Sequence, residues 1–210
     1  MYKDFYQMKN DPFSNRPMPE VFFESRPHTK VWQFLVDSLD TQEPAILVLG
    51  DYGTGKTTLC LRLVQALKEI QGDGYTLLPV AEEGHSQVQV LNRAETAPYV
   101  FFPTPDHTFA QMLNKVAYAL GISPGADEME TQQRIVDHFE RGKARKGLTI
   151  LIDDAGELDV ETLAKLRFLL DFVHDGFFPF HLVLFAHTSL LEKLKHPRLV
   201  PLLQRIKRRY

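Results

Sequence analysis

The stretch Gly50-Asp51-Tyr52-Gly53-Thr54-Gly55-Lys56-Thr57-Thr58 has the residue types and spacing of a phosphate-binding loop, G-x-x-x-x-G-K-T. Each position has a chemical reason. The glycines adopt backbone angles that side chains resist, so successive N–H groups can converge on phosphate oxygens. The N-terminus of a following helix adds partial positive charge at the same point. Residues 51–58 (Asp51, Tyr52, Gly53, Thr54, Gly55, Lys56, Thr57, Thr58) therefore form the candidate cradle. In it Lys56 reaches the β- and γ-phosphates and the Thr57 hydroxyl ligates Mg2+.

A phosphate loop needs a partner carboxylate on another buried strand. Leu148-Thr149-Ile150-Leu151-Ile152-Asp153-Asp154 supplies it. Asp153 is the candidate second Mg2+ ligand, and Asp154 is placed to orient or deprotonate an attacking water. A later apolar run, Leu182–Ala186, ends in His187-Thr188-Ser189. His187 is the candidate γ-phosphate sensor and Thr188 the alternate; a strand-end histidine bonded to backbone is the plainer reading. His85, His107, His138 and His174 show no metal-ligand spacing, so no zinc site is expected. The C-terminal stretch carries Lys193, Lys195, Arg198, Arg205, Lys207, Arg208 and Arg209 without an acid. It reads as an arginine finger for a neighbouring subunit, as a patch for nucleic-acid phosphates, or as a solvated face.

The elements that must position these residues follow from apolar periodicity. Ala45–Leu49, bounded by Pro44 and Gly50, reads as a buried parallel strand, and Leu59, Leu63, Ala66 and Leu67 fall on one face of a helix. Further helices are expected over His28–Leu39, His107–Leu120, Glu130–Arg145, Val160–Val173, Leu190–Leu194 and Pro197–Leu203. Strands are expected over Tyr75–Val80, Gln87–Leu91, Tyr99–Phe102, Leu148–Ile152 and His181–Ala186. Strands alternating with helices predict an α/β fold, a mostly parallel sheet flanked by helices. Residues 1–27, rich in aromatics and in Pro12, Pro17, Pro19 and Pro27, read as a largely irregular segment packed on a core of residues 28–210. The aromatics there call for burial.

With 210 residues, 44% hydrophobic and 24% charged, the chain suits a single soluble domain. A net charge of −3 excludes a generally basic nucleic-acid binder. No apolar run approaches the ~18 residues of a membrane helix, and the N-terminus lacks a signal-peptide pattern. The lone cysteine, Cys60, permits no internal disulfide, consistent with a cytoplasmic protein, and suits packing more than nucleophilic chemistry.

These residues resemble the ExeA-like branch of the AAA+ ATPases, the family of general secretion pathway protein A, related to transposition AAA+ ATPases. The resemblance rests on Met1-Tyr2-x-x-Phe5, Asp11-Pro12-Phe13, Phe22-Phe23 and His28, then on Gly50–Thr58, Ile152-Asp153-Asp154-Ala155, Leu163–Leu170 and Leu202-x-Gln204-Arg205-Ile206. It covers nearly the whole chain except Gln71–Pro98, and residues 71–98 read as a possible hairpin insertion. It implies a P-loop NTPase core that binds ATP and Mg2+, a homo-oligomer with ATP between subunits, and Arg205 reaching across. The implied work is assembly or conformational change of a protein partner in secretion or transposition machinery. Rival readings are a slowly or non-hydrolysing ATP-gated switch and an ATP-dependent, DNA-binding transposition regulator.

Departures from the family pattern bear on rate. Asp153-Asp154-Ala155-Gly156 stands where the family reads Asp-Glu-Ala-Gln. A shortened acid sets its carboxylate roughly 1.5 Å back from the water, a displacement that costs about 10²-fold. Ala186-His187-Thr188-Ser189-Leu190 stands where the family reads Gly-Gln-Pro-Glu-Leu. Arg205–Tyr210 reads as the start of a final core strand, and the fold is expected without the family's C-terminal helical lid.

Overall fold

A computed structural model describes residues 2–8, 22–73, 75–82, 85–92, 99–104, 107–141, 148–174, 176 and 178–210. In chain order its elements are α1 (Tyr2–Phe5), α2 (Arg26–Asp40), β1 (Ala45–Leu49), α3 (Lys56–Asp73), β2 (Tyr75–Glu82), β3 (His85–Asn92), β4 (Tyr99–Phe102), α4 (Phe109–Ala119) and α5 (Glu128–Glu140). There follow β5 (Leu148–Ile152), α6 (Val160–Lys165), α7 (Arg167–Asp171), β6 (Phe180–Ala186), α8 (Leu190–Lys193), α9 (Val200–Arg205) and β7 (Arg208–Arg209).

β1, β4, β5, β6 and β7 form one sheet in the order β4-β5-β6-β1-β7. Every neighbouring pair in it is parallel. Successive strand residues point to opposite faces, and both faces are covered, which is why these strands read as unbroken apolar runs. Ala45, Leu47, Ile150, Leu182 and Leu184 pack with α4 to α9. Ile46, Val48, Leu151, Val183 and Phe185 pack with α2 and α3. The chain leaves β1 in the interior of the sheet, crosses to the β4 edge, and returns through β5 and β6. The carboxyl ends of β1, β6 and β5 therefore stand side by side, where open parallel sheets hold ligands.

Helix starts follow local capping chemistry. Ser25 caps α2, Thr108 and Gln111 form a reciprocal capping box on α4, and Asp127 and Asp159 cap α5 and α6. One expected helix is broken: Val160–Val173 divides into α6 and α7 at Leu166, where Leu169 N–H bonds Leu166 O at 3.1 Å. Buried Leu163, Leu166 and Leu169 recur every third residue, and a tighter three-residue turn keeps them on one face.

β2 and β3 pair antiparallel along their full length, from Tyr75 opposite Asn92 to Glu82 opposite His85. The expected turn residues Glu83 and Gly84 lie outside the described residues, as do residues 142–145 of the helix expected to reach Arg145. In the N-terminal stretch Asp11, Pro12, Phe13, Pro17 and Pro19 also lie outside them. The burial expected of its aromatics is partial. Phe22 packs against the α2–α3 face of the core, whereas Phe5, Tyr6 and Phe23 are exposed. The final strand expected after Arg205 is short. β7 pairs with β1, and Tyr210 N–H and C=O bond Leu47 O and Leu49 N–H at 3.0 and 2.9 Å.

Candidate functional site

β1 delivers the loop at Gly50, and α3 begins at Lys56. Gly55 has φ +83°, a conformation that glycine adopts without steric cost. At Gly50 a Cβ would stand 2.6 Å from Thr54 Oγ1, so the loop closes on itself only because no side chain is there. Lys56 Nζ donates to Gly50 O and Asp51 O, both at 2.8 Å, and Thr54 Oγ1 donates to Asp51 O at 2.8 Å. The ammonium thus holds the loop in a ring around itself. The first N–H groups of α3, on Lys56, Thr57 and Thr58, have no acceptor within their own helix.

Asp153 follows β5 and is 1% exposed. Its N–H bonds Phe102 O at 3.0 Å, extending the ladder to β4. The Thr57 hydroxyl donates to its carboxylate, and Asp154 N–H donates to Oδ1 at 3.1 Å. The carboxyl pKa lies above the usual aspartate value. Burial raises it most, the Thr57 hydrogen bond opposes that, the Asp154 charge raises it further, and the Asp154 N–H and the Lys56 charge lower it. A buried carboxylate with incompletely compensated charge, touching a hydroxyl at the head of a phosphate loop, fits a Mg2+ ion. Such ions take one or two carboxylates and complete their shell with phosphates and waters. Cys60 is buried close by, and burial, then Asp153 and Asp154, push its thiol pKa well up, which leaves it inert.

Asp154 is exposed and left-handed, with φ +48° and ψ +39°. The chain then makes a 3-10 turn over Ala155–Glu157, closed by Glu157 N–H to Asp154 O at 2.9 Å. Lys193 of α8 braces this turn, donating to Gly156 O at 2.8 Å and Leu158 O at 2.5 Å.

β6 lies between β1 and β5, so its end faces the loop. His187 stacks on Tyr52 with centroids 4.4 Å apart and planes at 21°. Ser189 N–H donates to His187 Nδ1 at 3.1 Å, so the ring proton sits on Nε2, which faces Asp51 Oδ1 at 3.6 Å. Thr188 Oγ1 donates to the same Asp51 Oδ1 at 3.0 Å. His187 therefore both touches the loop tip and bonds backbone.

Residues 51–58 with Asp153, Asp154 and His187 thus gather at the carboxyl ends of three strands. Arg205 does not join them: it pairs with Asp171 of α7 at 2.6 Å. Much of the basic C-terminal run is spent within the chain. Lys195 pairs with Glu192, Arg208 with Glu43, and Arg209 donates to Ile206 O and Leu203 O. The concave surface beside α5 that is lined by Arg134, Asp137, His138 and Arg141 is no rival site. Its Arg134 is committed to Ser123 O, Pro124 O and Glu130, and its Arg141 to Asp137.

Contacts invisible in the sequence complete the site. The Asp51–Thr188 bond spans 137 positions and the Lys193 brace 37, distances over which no local pattern operates. His28 Nε2 lies 2.8 Å from Thr54 O, although in sequence His28 reads as the start of a helix and as part of the N-terminal resemblance, with no tie to the loop.

The AAA domain family profile matches residues 39–194. General secretion pathway protein A of Aeromonas hydrophila is 28% identical over 211 residues, covering 100% of this chain and 34% of that protein. The chain thus spans about a third of that curated relative's length. Among solved structures, Cdc6p of Pyrobaculum aerophilum superposes with a TM-score of 0.59 at 18% identity, over 95% of this chain and 48% of that one. The ORC2 protein of Aeropyrum pernix, solved as ADPNP–ADP complexes, gives 0.60 at 16% identity, over 94% and 50%. The ORC1 protein of the same organism, solved in complex with DNA, gives 0.55 at 16% identity, over 86% and 43%. At these identities the structures speak to the fold alone.

Proposed function

This chain belongs to the AAA domain family, with a P-loop NTPase core, and we propose that it binds ATP with Mg2+ and couples binding and hydrolysis to a change in a partner complex. The observation that carries the proposal is that Lys56 and Thr57, heading α3, converge on buried Asp153, which follows β5. Lys56 exchanges its loop carbonyls for β- and γ-phosphate oxygens. The N–H groups of residues 55–58 cradle the same phosphates, and Thr57 and Asp153 hold the Mg2+. The bound ion would neutralise phosphate charge. Asp154 orients the attacking water and takes its proton. His187, adjacent to the loop tip, senses the γ-phosphate, with Thr188 beside it. In a homo-oligomer Arg205 trades Asp171 for a neighbouring subunit's γ-phosphate; its side chain is 46% exposed and so accessible for that exchange.

The partner we propose is secretion-type machinery, following the name of the Aeromonas relative, and the setting is cytoplasmic. Among the described residues no helix is long and apolar enough to cross a membrane. A slow ATP-gated switch is the second reading. It is favoured by Asp154, a short acid on an exposed left-handed turn, and by the Tyr52–His187 stack that occupies the sensor ring.

ATP affinity and turnover, measured side by side in wild type, Lys56→Ala and Asp154→Glu, test the proposal. Affinity lost in Lys56→Ala with measurable wild-type turnover supports the ATPase. Tight binding with negligible turnover that rises in Asp154→Glu supports the switch. A wild type that binds no ATP refutes both.

A further inference from the structure

We propose that His28 is a positioning residue for the phosphate-binding loop: its ring holds the Thr54 carbonyl and so aims the N–H of Gly55 at the nucleotide. The inference rests on the reading of residues 50–58 as a nucleotide site. His28 Nε2 lies 2.8 Å from Thr54 O. A carbonyl only accepts, so Nε2 carries the proton. Nδ1 is then an acceptor, and Ser25 Oγ, 2.7 Å away, donates to it while itself accepting the His28 N–H at 3.5 Å. One neutral tautomer satisfies both ring nitrogens.

The peptide between Thr54 and Gly55 is planar and trans, so its C=O and N–H point in opposite directions. Holding the carbonyl against His28 turns the Gly55 N–H away from His28. This peptide is easily flipped, because glycine populates both signs of φ at little cost. A flipped peptide would present a carbonyl oxygen to phosphate instead of an N–H. The ring leaves little room for that movement: a Cβ on Gly55 would stand only 3.1 Å from Nε2.

The ring is itself fixed. Phe22 meets it edge-on at 5.0 Å, and the Arg62 guanidinium lies over Phe22 at 4.9 Å and over Trp32 at 4.7 Å. Arg62 also pairs with Glu24 at 2.5 Å. The segment preceding α2 thus holds the imidazole through Phe22, and the helix that follows the loop braces Phe22 through Arg62.

Substitution of His28 separates this role from a purely structural one. His28→Gln keeps a donor near Nε2 and gives up the Ser25 contact. His28→Asn keeps a group near Nδ1 for Ser25 and cannot reach Thr54. Equilibrium titration with ATP and ADP, each with Mg2+, is read beside the urea unfolding midpoint. His28→Asn and His28→Ala are expected to bind both nucleotides about tenfold more weakly, the effect of one lost hydrogen bond. His28→Gln is expected to stay within about threefold of wild type, and the affinity changes are not to follow the unfolding midpoints. Wild-type affinity in His28→Asn, or a His28→Gln as weak as His28→Ala, overturns the inference while leaving the nucleotide site intact. A wild type that binds neither nucleotide, with Lys56→Ala no different, overturns the reading of the site and this inference with it.

Discussion

Replacing Asp153 with asparagine is expected to stabilise the ligand-free protein while abolishing the Mg2+-dependent affinity for ATP proposed above. The carboxylate is 1% exposed, and removing a charge from water costs several kcal/mol even after relaxation. Against that stand hydrogen bonds from the Thr57 hydroxyl and the Asp154 N–H and the charge of Lys56. Hydrogen bonds to a charged group are worth about 1.5–3 kcal/mol each, so the opposing contributions are of similar size. The upward direction of the carboxyl pKa decides the balance: desolvation, aided by the Asp154 charge, wins. An asparagine fills the same volume, accepts the Asp154 N–H through its carbonyl and donates to Thr57 through its amide. The expected gain at neutral pH is on the order of 1 kcal/mol, or about 2–4 °C in Tm for a chain of this size. Asp153 holds its proton more tightly folded than unfolded. Its contribution is therefore full below the unfolded aspartate value and is lost as pH rises through the raised native value. Urea unfolding of Asp153→Asn and wild type across acid to neutral pH is the assay. The variant should be the more stable at neutral pH, and the gap should close in acid. A variant less stable than wild type at neutral pH, or a gap independent of pH, would refute the reasoning.

Lys193→Met is expected to lower stability by about 2 kcal/mol, because the carbonyls of Gly156 and Leu158 lose a charged donor; thermal unfolding checks it, with a fall in Tm of about 4–8 °C expected for a chain of this size, and a fall below about 2 °C would count against the brace. The Cys60 thiol, buried and with its pKa pushed well up, is expected to resist thiol reagents at mildly alkaline pH and to react only as fast as the protein unfolds. Modification of the native protein at the rate of a free thiol would contradict that placement.

What the sequence determined by itself is local. Gly50–Thr58 is recognisable because its chemistry needs glycines and a lysine at fixed spacing, and Ala45–Leu49 and Leu148–Ile152 because strands buried on both faces must be apolar throughout. Asp153 follows from the same logic, as the first acid after such a strand. The helix over 160–173 was legible as an apolar pattern, but its break at Leu166 was not, since the three-residue recurrence of leucines gains meaning only against the sheet they cover. Tertiary structure alone decided which strand ends meet. The order β4-β5-β6-β1-β7 sets the end of β6 between the loop and Asp153, and so brings Thr188 to Asp51 and His187 onto Tyr52. It also assigned His28 to Thr54 and Arg205 to Asp171. Such pairings join residues far apart along the chain. Backbone propensity and periodicity act over a few residues, whereas these contacts exist only once the packed layers have brought separate segments within hydrogen-bonding reach.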